Sequence, residues 1–504
     1  MTAAASAAAP SAVQVEGRWL LAAMALLATW MQGVNISLPN AAAPQIQGAL
    51  SMSDDELGWI FSSYIAAGAA TLPFTRWLAG RFGRKTVLQA ALVLFAVGLV
   101  LVSRATTPLQ FVAARIVQGA AGGPIAPLAM AILLEATAPT RQEAAKLSAA
   151  VAAMGGVLSG PSLGGWLAET WDWTVLFKLG LPVAGLIFLV ISVYLPRQGP
   201  ARPSPFDAVG AMLLVAGLAA LQVFLDRGER AEWLASGESR LEAAVAAGAL
   251  LAFLAHRLGA RAPFADRALL RDRNFVVSTV MVFAFGFVLL PTVALTSPML
   301  EELLGYPVDA TGYMTLPRSL ALVAALVLAW REPRRIDNRL VIAGGVALVA
   351  YANVRMLGYS PQMDGWPVVE AGVLQGAGLG VLLPSLTRQA FATLAPALRA
   401  EAGEVFNLSR LYGSTLGIAT VQILFYGDTQ AMHLALTRTL TPQRLAGLSP
   451  ARLAGLNEQI TGQAAMVALV DQFKLLMLVI LAAGPLVLLL RPPRPAAAEP
   501  GAAP

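Results

Sequence analysis

The chain contains no cysteine, which excludes disulfides, zinc–cysteine sites, iron–sulfur clusters and thiol catalysis. Histidine is almost missing too: His256 and His433 are too few for a histidine metal centre. Charge is scarce, at 13% of the 504 residues against about 25% in an average soluble protein. No glycine-rich loop ending in Lys-Ser/Thr is present, which excludes ATP-driven transport by this chain. Apolar residues fill the gap. They make up 57% of the chain, and a mean hydropathy of +0.66 leaves too little polar surface to coat a globule. This is the composition of an integral membrane protein, with no cofactor and no metal implied. The net charge of +6 and pI near 9.8 do not argue for nucleic acid, because the basic residues fall in short loops rather than on one soluble face.

A bilayer core about 30 Å thick needs roughly 20 apolar residues per helix. Fourteen candidate spans meet that need, near 19–42, 56–79, 86–103, 108–134, 146–167, 173–195, 206–226, 240–256, 274–298, 311–330, 340–355, 367–387, 402–425 and 468–490. Spans 8 and 11 are short and Ala-rich, so twelve or thirteen is the alternative count. Of the 35 Lys and Arg, 22 fall in tails and loops that lie inside if the N-terminus is cytoplasmic. The loops between spans 1–2, 5–6 and 9–10 hold none and carry acids instead, among them Asp54, Asp55, Glu169, Asp172, Glu301 and Glu302. Both termini are therefore expected in the cytoplasm.

The expected fold is all-α, two six-helix bundles with a two-helix insertion. Residues 1–18 read as a disordered cytoplasmic tail without the basic start of a signal peptide, and 19–195 as the N-terminal bundle. Residues 196–256 read as a linker and central hairpin, 257–273 as a basic cytoplasmic linker, 274–490 as the C-terminal bundle and 491–504 as a second disordered tail. Trp77 and Trp330, each closing a span before basic residues, echo one another at equivalent points of the two halves.

Span 5 carries Gly156-x-x-x-Gly160-Pro161-x-x-Gly164-Gly165. Small residues four apart let helices approach closely, and proline removes a backbone donor. The whole string is far more specific than a lone GxxxG. It resembles the antiporter motif of drug exporters in the major facilitator superfamily. Arg115-x-x-Gln118-Gly119 in span 4 is similar to that superfamily's buried-arginine motif. Arg81-Phe82-Gly83-Arg84-Lys85 resembles its cytoplasmic gating loop. Leu225-Asp226-Arg227-Gly228-Glu229 with Trp233, Asp266 with Arg273-Asn274-Phe275, Asn407-x-x-Arg410-x-x-Gly413-x-x-x-Gly417 and Asp471-x-Phe473 complete a likeness to the fourteen-span EmrB/QacA-type drug:proton antiporters, EmrB-like branch, over about residues 19–490.

The resemblance implies export of amphiphilic small molecules against protons across the bacterial inner membrane. It also implies partners, a periplasmic adaptor and a TolC-type outer-membrane channel, for which residues 426–467 read as a long polar docking loop. Three departures stand out. Asn35 occupies the place of the family's span-1 Asp, the usual proton site. Arg76 and Gly80 stand where the gating loop has a glycine and an acid, which weakens a charge-paired gate. Gly180 replaces an asparagine.

Charges at bilayer depth cost at least about 2.5–3.5 kcal/mol and need a reason. Arg115 and Asn35 both lie in the outer half, about 10 and 9 Å from their span ends at 1.5 Å per residue, and can face one another. The competing account of Arg115 is an arginine tied to helix carbonyls. Arg318, after Pro317, either meets an anionic part of a substrate or caps a broken helix. Glu370 and Asp471, the latter paired with Lys474 at i, i+3, are the carboxylates expected to carry coupling, and Asp226 reads as interfacial. Trp30, Met31, Met154, Phe285, Asn407, Arg410 and Tyr412 are expected, with Arg318, to line a cavity for large apolar ligands. Nothing resembles an enzyme. Two other functions fit the sequence: export of one endogenous metabolite such as a siderophore or fatty acid, and a transport-inactive sensor or scaffold.

Overall fold

The structure is a computed structural model describing residues 17–53, 56–197, 207–228, 233–259, 266–331, 336–395, 398–438 and 449–491. The two tails, Asp54, Asp55, Glu229 and the centres of both linkers lie outside the described residues, as do Arg334 and Arg335.

Among the described residues fourteen long helical segments follow one another, with no strand. They are α1 (Arg18–Ser37), α2 (Leu57–Thr71, resumed as Thr75–Phe82), α3 (Arg84–Ser103), α4 (Pro108–Ala136) and α5 (Gln142–Thr170). Next come α6 (Trp173–Lys178 with Gly180–Tyr194), α7 (Ala208–Arg227), α8 (Gly237–Gly259), α9 (Arg273–Pro298) and α10 (Val308–Arg331). The last four are α11 (Asn338–Met356), α12 (Trp366–Phe391), α13 (Arg399–Thr437) and α14 (Pro450–Ala483). Local chemistry sets many starts. Thr107 accepts the Gln110 amide ahead of Pro108 at the first position of α4, and Asp207 and Asp272 cap α7 and α9 the same way.

Among the described residues, twelve helices are long and apolar enough to cross a membrane. The other two passes fail for physical reasons. Pro73 sits in a 3-10 turn that splits α2, and the apolar stretch of α13 is diluted by Arg410 and by interspersed Gly, Ser, Thr and Gln residues.

Interhelical bonds at the ends show how the passes alternate. At the face nearer the N-terminus, Lys85 Nζ donates to the carbonyls of Ser192 and Leu195 at 2.7 and 2.6 Å, and Asn274 Nδ2 donates to the Arg491 carbonyl at 3.0 Å. At the far face Arg355 pairs with Glu370 at 3.0 Å, and Gln472 Nε2 donates to Asp428 at 2.9 Å. The α7–α8 hairpin is clipped at both ends: His256 meets Asp207 at 2.8 Å, and Arg227 holds Glu238 and Glu242 at 2.8 and 2.9 Å. It packs against α2 and α13, where the two halves also meet one another. A second seam joins α5 to α10, where Ser162 donates to the Gly312 carbonyl at 3.0 Å and Ser319 to the Leu158 carbonyl at 3.1 Å.

The expected polar loop over 426–467 is corrected. Helices α13 and α14, at 39 and 34 residues, are roughly 58 and 51 Å long, far more than the ~30 Å core requires. Residues 426–437 and 450–467 are the helical ends of this pair, joined by His433 to Asn457 at 3.2 Å and exposed over most of 450–461. A polar sequence is not a loop when two helices continue into water together.

Candidate transport site

The two halves use one packing code. A Cβ at Gly156 or Gly160 of α5 would lie 2.4 Å from the Trp30 carbonyl or 2.1 Å from Ser37 Oγ of α1. A Cβ at Gly413 or Gly417 of α13 would meet the Phe283 carbonyl at 2.2 Å or Pro291 Cγ at 2.7 Å on α9. Likewise Gly119 and Gly123 press on Tyr64 and Gly68, and Gly376 and Gly380 press on Arg318 and Leu322. Helices α1, α2, α4 and α5 therefore correspond to α9, α10, α12 and α13, as a duplicated transporter fold requires.

Prolines complete the close contacts. Pro161 cannot bond the carbonyl of Val157, four residues earlier, and Ser37 of α1 donates to that carbonyl instead. Pro124 similarly frees the Ala120 carbonyl, which Thr71 of α2 takes at 2.9 Å. Gly164, Gly165 and Pro161 are all buried, so the glycine–proline string of α5 forms the α1–α5 contact surface.

Arg115 and Asn35 do face one another. Arg115, 0% exposed, donates from Nη2 to the Asn35 carbonyl at 3.1 Å, from Nε to the Ile60 carbonyl at 3.3 Å and from Nη1 to Gln118 Oε1 at 2.7 Å. Gln118 Nε2 closes the ring by donating to Asn35 Oδ1 at 2.8 Å, and the Asn35 amide donates to the Met31 carbonyl at 2.9 Å. The guanidinium lies 4.4 Å over the Tyr64 ring and 5.8 Å from that of Phe177. The charge is thus held by carbonyl dipoles and a π face, with no carboxylate. The sequence anticipated the Arg115–Asn35 approach; the tie to carbonyls is the account that competed with a functional arginine. It missed Tyr64, Ser37 and Thr71. An acceptor four residues before a proline is the signal that points to the last two.

The corresponding place in the other half is built differently. Gln375 Nε2 donates to Thr292 Oγ1 of α9 at 3.2 Å, matching Gln118 to Asn35, but Gly372 stands at the position of Arg115. The cation comes from α10 instead. Arg318, 5% exposed, takes the place of Tyr64 and makes one hydrogen bond, from Nη2 to the Leu289 carbonyl at 3.3 Å. Arg410 of α13 is half-buried and bonded to Asn407 Oδ1 at 2.8 Å.

Several expected residues stand elsewhere. Glu370 is no dry carboxylate: its side chain is 40% exposed and paired with Arg355, because the first turn of α12 opens at the far face. Asp471 is half-buried and Lys474 exposed, and no ion pair joins them. Met31, Met154, Phe285 and Tyr412 are enclosed by neighbouring helices rather than lining open space, since the glycine contacts bring the helix axes together; Trp30, Asn407 and Arg410 keep partial exposure. Asp226 is more than interfacial. Its carboxylate accepts from Ser62 Oγ of α2 at 2.9 Å and from Gln222 Nε2 at 2.9 and 3.1 Å, between α7, α2 and α13.

Between α2 and α3, Gly83 has φ +81°, which a side chain would strain, and Arg81 stacks near Trp77 and Phe82. Arg84 pairs with Glu135 at the end of α4. Arg76, at the place of the family's glycine, lies within electrostatic reach of Glu404 on α13.

Two equivalent helical halves meeting along two seams, with polar clusters inside each, define a membrane transporter rather than an enzyme. A profile of the Major Facilitator Superfamily matches residues 25–418, and the chain belongs to that superfamily. Within it the chain is EmrB-like. It is 28% identical to the multidrug export protein EmrB of Haemophilus influenzae over 84% of both chains. It is 27% identical to the fatty acid resistance protein FarB of Neisseria gonorrhoeae over 93% of this chain and 95% of that one. Among solved structures, an auto-inhibited POT family peptide transporter superposes with TM-score 0.66 at 16% identity, covering 96% of this chain and 99% of that one. The Escherichia coli xylose transporter XylE, partially occluded and inward-open, gives 0.57 at 13% identity, covering 93% and 98%. These two likenesses concern the fold.

Proposed function

We propose that this transporter exports amphiphilic or aromatic compounds across the bacterial inner membrane, driven by inward proton flow, with both termini cytoplasmic. The similarity to EmrB, a multidrug export protein, supports the direction and the broad substrate class. The observation that carries the energy coupling is Asp226. It is the carboxylate at the α2–α13 seam whose oxygens are held by neutral donors, so it can gain or lose a proton without breaking an ion pair. At the end of the surrounding elements where Asp226 lies, the charged and titratable groups are Arg227 on α7, Glu238, Arg240 and Glu242 on α8, Glu56 and Tyr64 at α2, and Tyr426 and Asp428 on α13. Arg227 is engaged by Glu238 and Glu242. Protonating Asp226 removes the acceptor charge facing Ser62 and loosens α7 from the N-terminal half.

In proteoliposomes, substrate addition should move protons in the opposite direction to substrate. Asp226→Asn should flatten the pH dependence of transport, while Glu370→Gln and Asp471→Asn should leave it in place. A wild-type pH profile retained by Asp226→Asn refutes coupling through this group. Orientation is open to a separate check. Reporter fusions after Leu50, Thr170 and Gly305 should be periplasmic, and those after Phe82 and Asp337 cytoplasmic; a cytoplasmic fusion at Gly305 overturns the fourteen-pass arrangement.

Docking of a periplasmic adaptor, with a TolC-type channel beyond it, would use the projecting α13–α14 pair. Photocrosslinkers at exposed positions such as Arg452 and Glu458 that never capture an adaptor would count against it. The FarB likeness favours a second reading, export of one class of fatty acid rather than many drugs. Growth of a deletion strain against a panel of drugs and of fatty acids separates the two. Ligand binding without flux would instead mark a sensor.

A further inference from the structure

Arg318 is a buried cation that its surroundings leave unsatisfied. Of its five N–H groups, one makes a hydrogen bond, at 3.3 Å, and Nε is buried without an acceptor. No carboxylate lies within ion-pair distance of it among the described residues. The comparison with Arg115 is direct, because the two occupy corresponding junctions of three helices. Arg115 has three acceptors and a stacked tyrosine. In that half Gln118 Oε1 accepts from the arginine, whereas its counterpart Gln375 Oε1 is buried with no donor.

The C-terminal junction therefore keeps an orphan donor and an orphan acceptor where the N-terminal junction keeps none. Glycines make the room. The Arg318 stem lies flat along α12 only because Gly372 and Gly376 lack side chains: a Cβ would fall 3.3 Å from Arg318 Cβ at the first and 2.3 Å from its carbonyl at the second. Access is provided at the seam, since Ser319, the next residue, is the one bonded to Leu158 of α5. When α5 and α10 separate, this stretch of α10 is freed. Pro317 has already removed one backbone bond there.

We infer that Arg318 is the recognition cation for the substrate, and that the amphiphile exported carries a carboxylate. This rests on the export reading and narrows its substrate class. A carboxylate can accept from two guanidinium N–H groups at once, which suits the free Nε edge. Arg115 has no such free edge, so the two buried arginines divide into one that holds the fold and one that holds the ligand.

The test uses the full-length protein in neutral detergent at pH 8, with dodecanoate, its uncharged methyl ester and dodecyltrimethylammonium as probes of binding by calorimetry. Dodecanoate should bind the wild type at least tenfold more tightly than the ester. Arg318→Gln should lose that advantage, Arg318→Lys should keep part of it, and the cation should bind all three proteins alike. Equal binding of acid and ester to the wild type overturns the inference without any variant, so a misfolded Arg318→Gln does not protect it. So does a loss in Arg318→Gln that affects acid and cation equally, which marks a structural arginine. Chloride that binds in an Arg318-dependent way while dodecanoate does not compete assigns the site to a free anion and also overturns it. Arg318-dependent dodecanoate binding with no efflux from vesicles would sink the export reading alone; efflux without it would sink this site alone.

Discussion

Replacing Arg115 with alanine should abolish transport and lower the unfolding temperature of the detergent-purified protein. The substitution strands Gln118 Oε1 and the Asn35 carbonyl, which Pro39 leaves without a helical donor, while the Ile60 carbonyl keeps its helical bond. A buried orphan acceptor costs about 1–3 kcal/mol in soluble proteins, and an interhelical hydrogen bond in a membrane is worth nearer 0.6 kcal/mol, so a loss of roughly 1–6 kcal/mol is expected for the two. Relief from burying the charge offsets part of that. Arg115→Lys should not rescue it. A single ammonium cannot reach carbonyls on α1 and α2 together while lying over Tyr64, which the flat, forked guanidinium does. Thermal unfolding and vesicle efflux read the two effects separately. An Arg115→Ala protein that unfolds at the wild-type temperature would show that the cluster does not hold α1, α2 and α4 together.

Valine at Gly160 should prevent the transporter from assembling, whereas valine at Gly155, one residue from the other small position, should leave folding intact. The distances separate them. A Cβ at Gly160 would sit 2.1 Å from Ser37 Oγ and 2.9 Å from the Leu38 amide nitrogen, and the second neighbour is backbone, which cannot step aside. At Gly155 nothing lies within 4 Å. Gly156→Val should behave like Gly160→Val, with the Trp30 carbonyl at 2.4 Å. Since Ser37 also satisfies the carbonyl that Pro161 leaves free, pushing α1 and α5 apart breaks a hydrogen bond as well as a packing contact. Size-exclusion profile and folded yield report this directly. A well-folded, active Gly160→Val protein would mean that α1 and α5 do not approach in this way.

What can be read along the chain is what local composition dictates. A run of apolar residues of membrane length has to be helical because no water is there to satisfy its backbone, so the passes and the all-α class are legible in the amino-acid order alone. So is a close-packing face on α5, because a string of glycines four apart has few other uses in a membrane helix, but not that α1 lies against it. The Arg115–Asn35 approach follows from equal depth in two neighbouring helices.

Depth, however, does not give rotation about the helix axis or the identity of the helix across the gap, and those decided the rest. Glu370 turned to the far face and Arg355, while Asp226, which reads as interfacial at the end of the central hairpin's first helix, met Ser62 across a seam. Arg115 and Arg318 look alike in sequence as lone arginines in apolar spans. Only the neighbouring helices separate them, by supplying three acceptors and an aromatic face to the first and a single carbonyl to the second. The polar run between spans 13 and 14 became a projecting helix pair because each helix supports the other beyond the membrane, a contact that no single segment encodes.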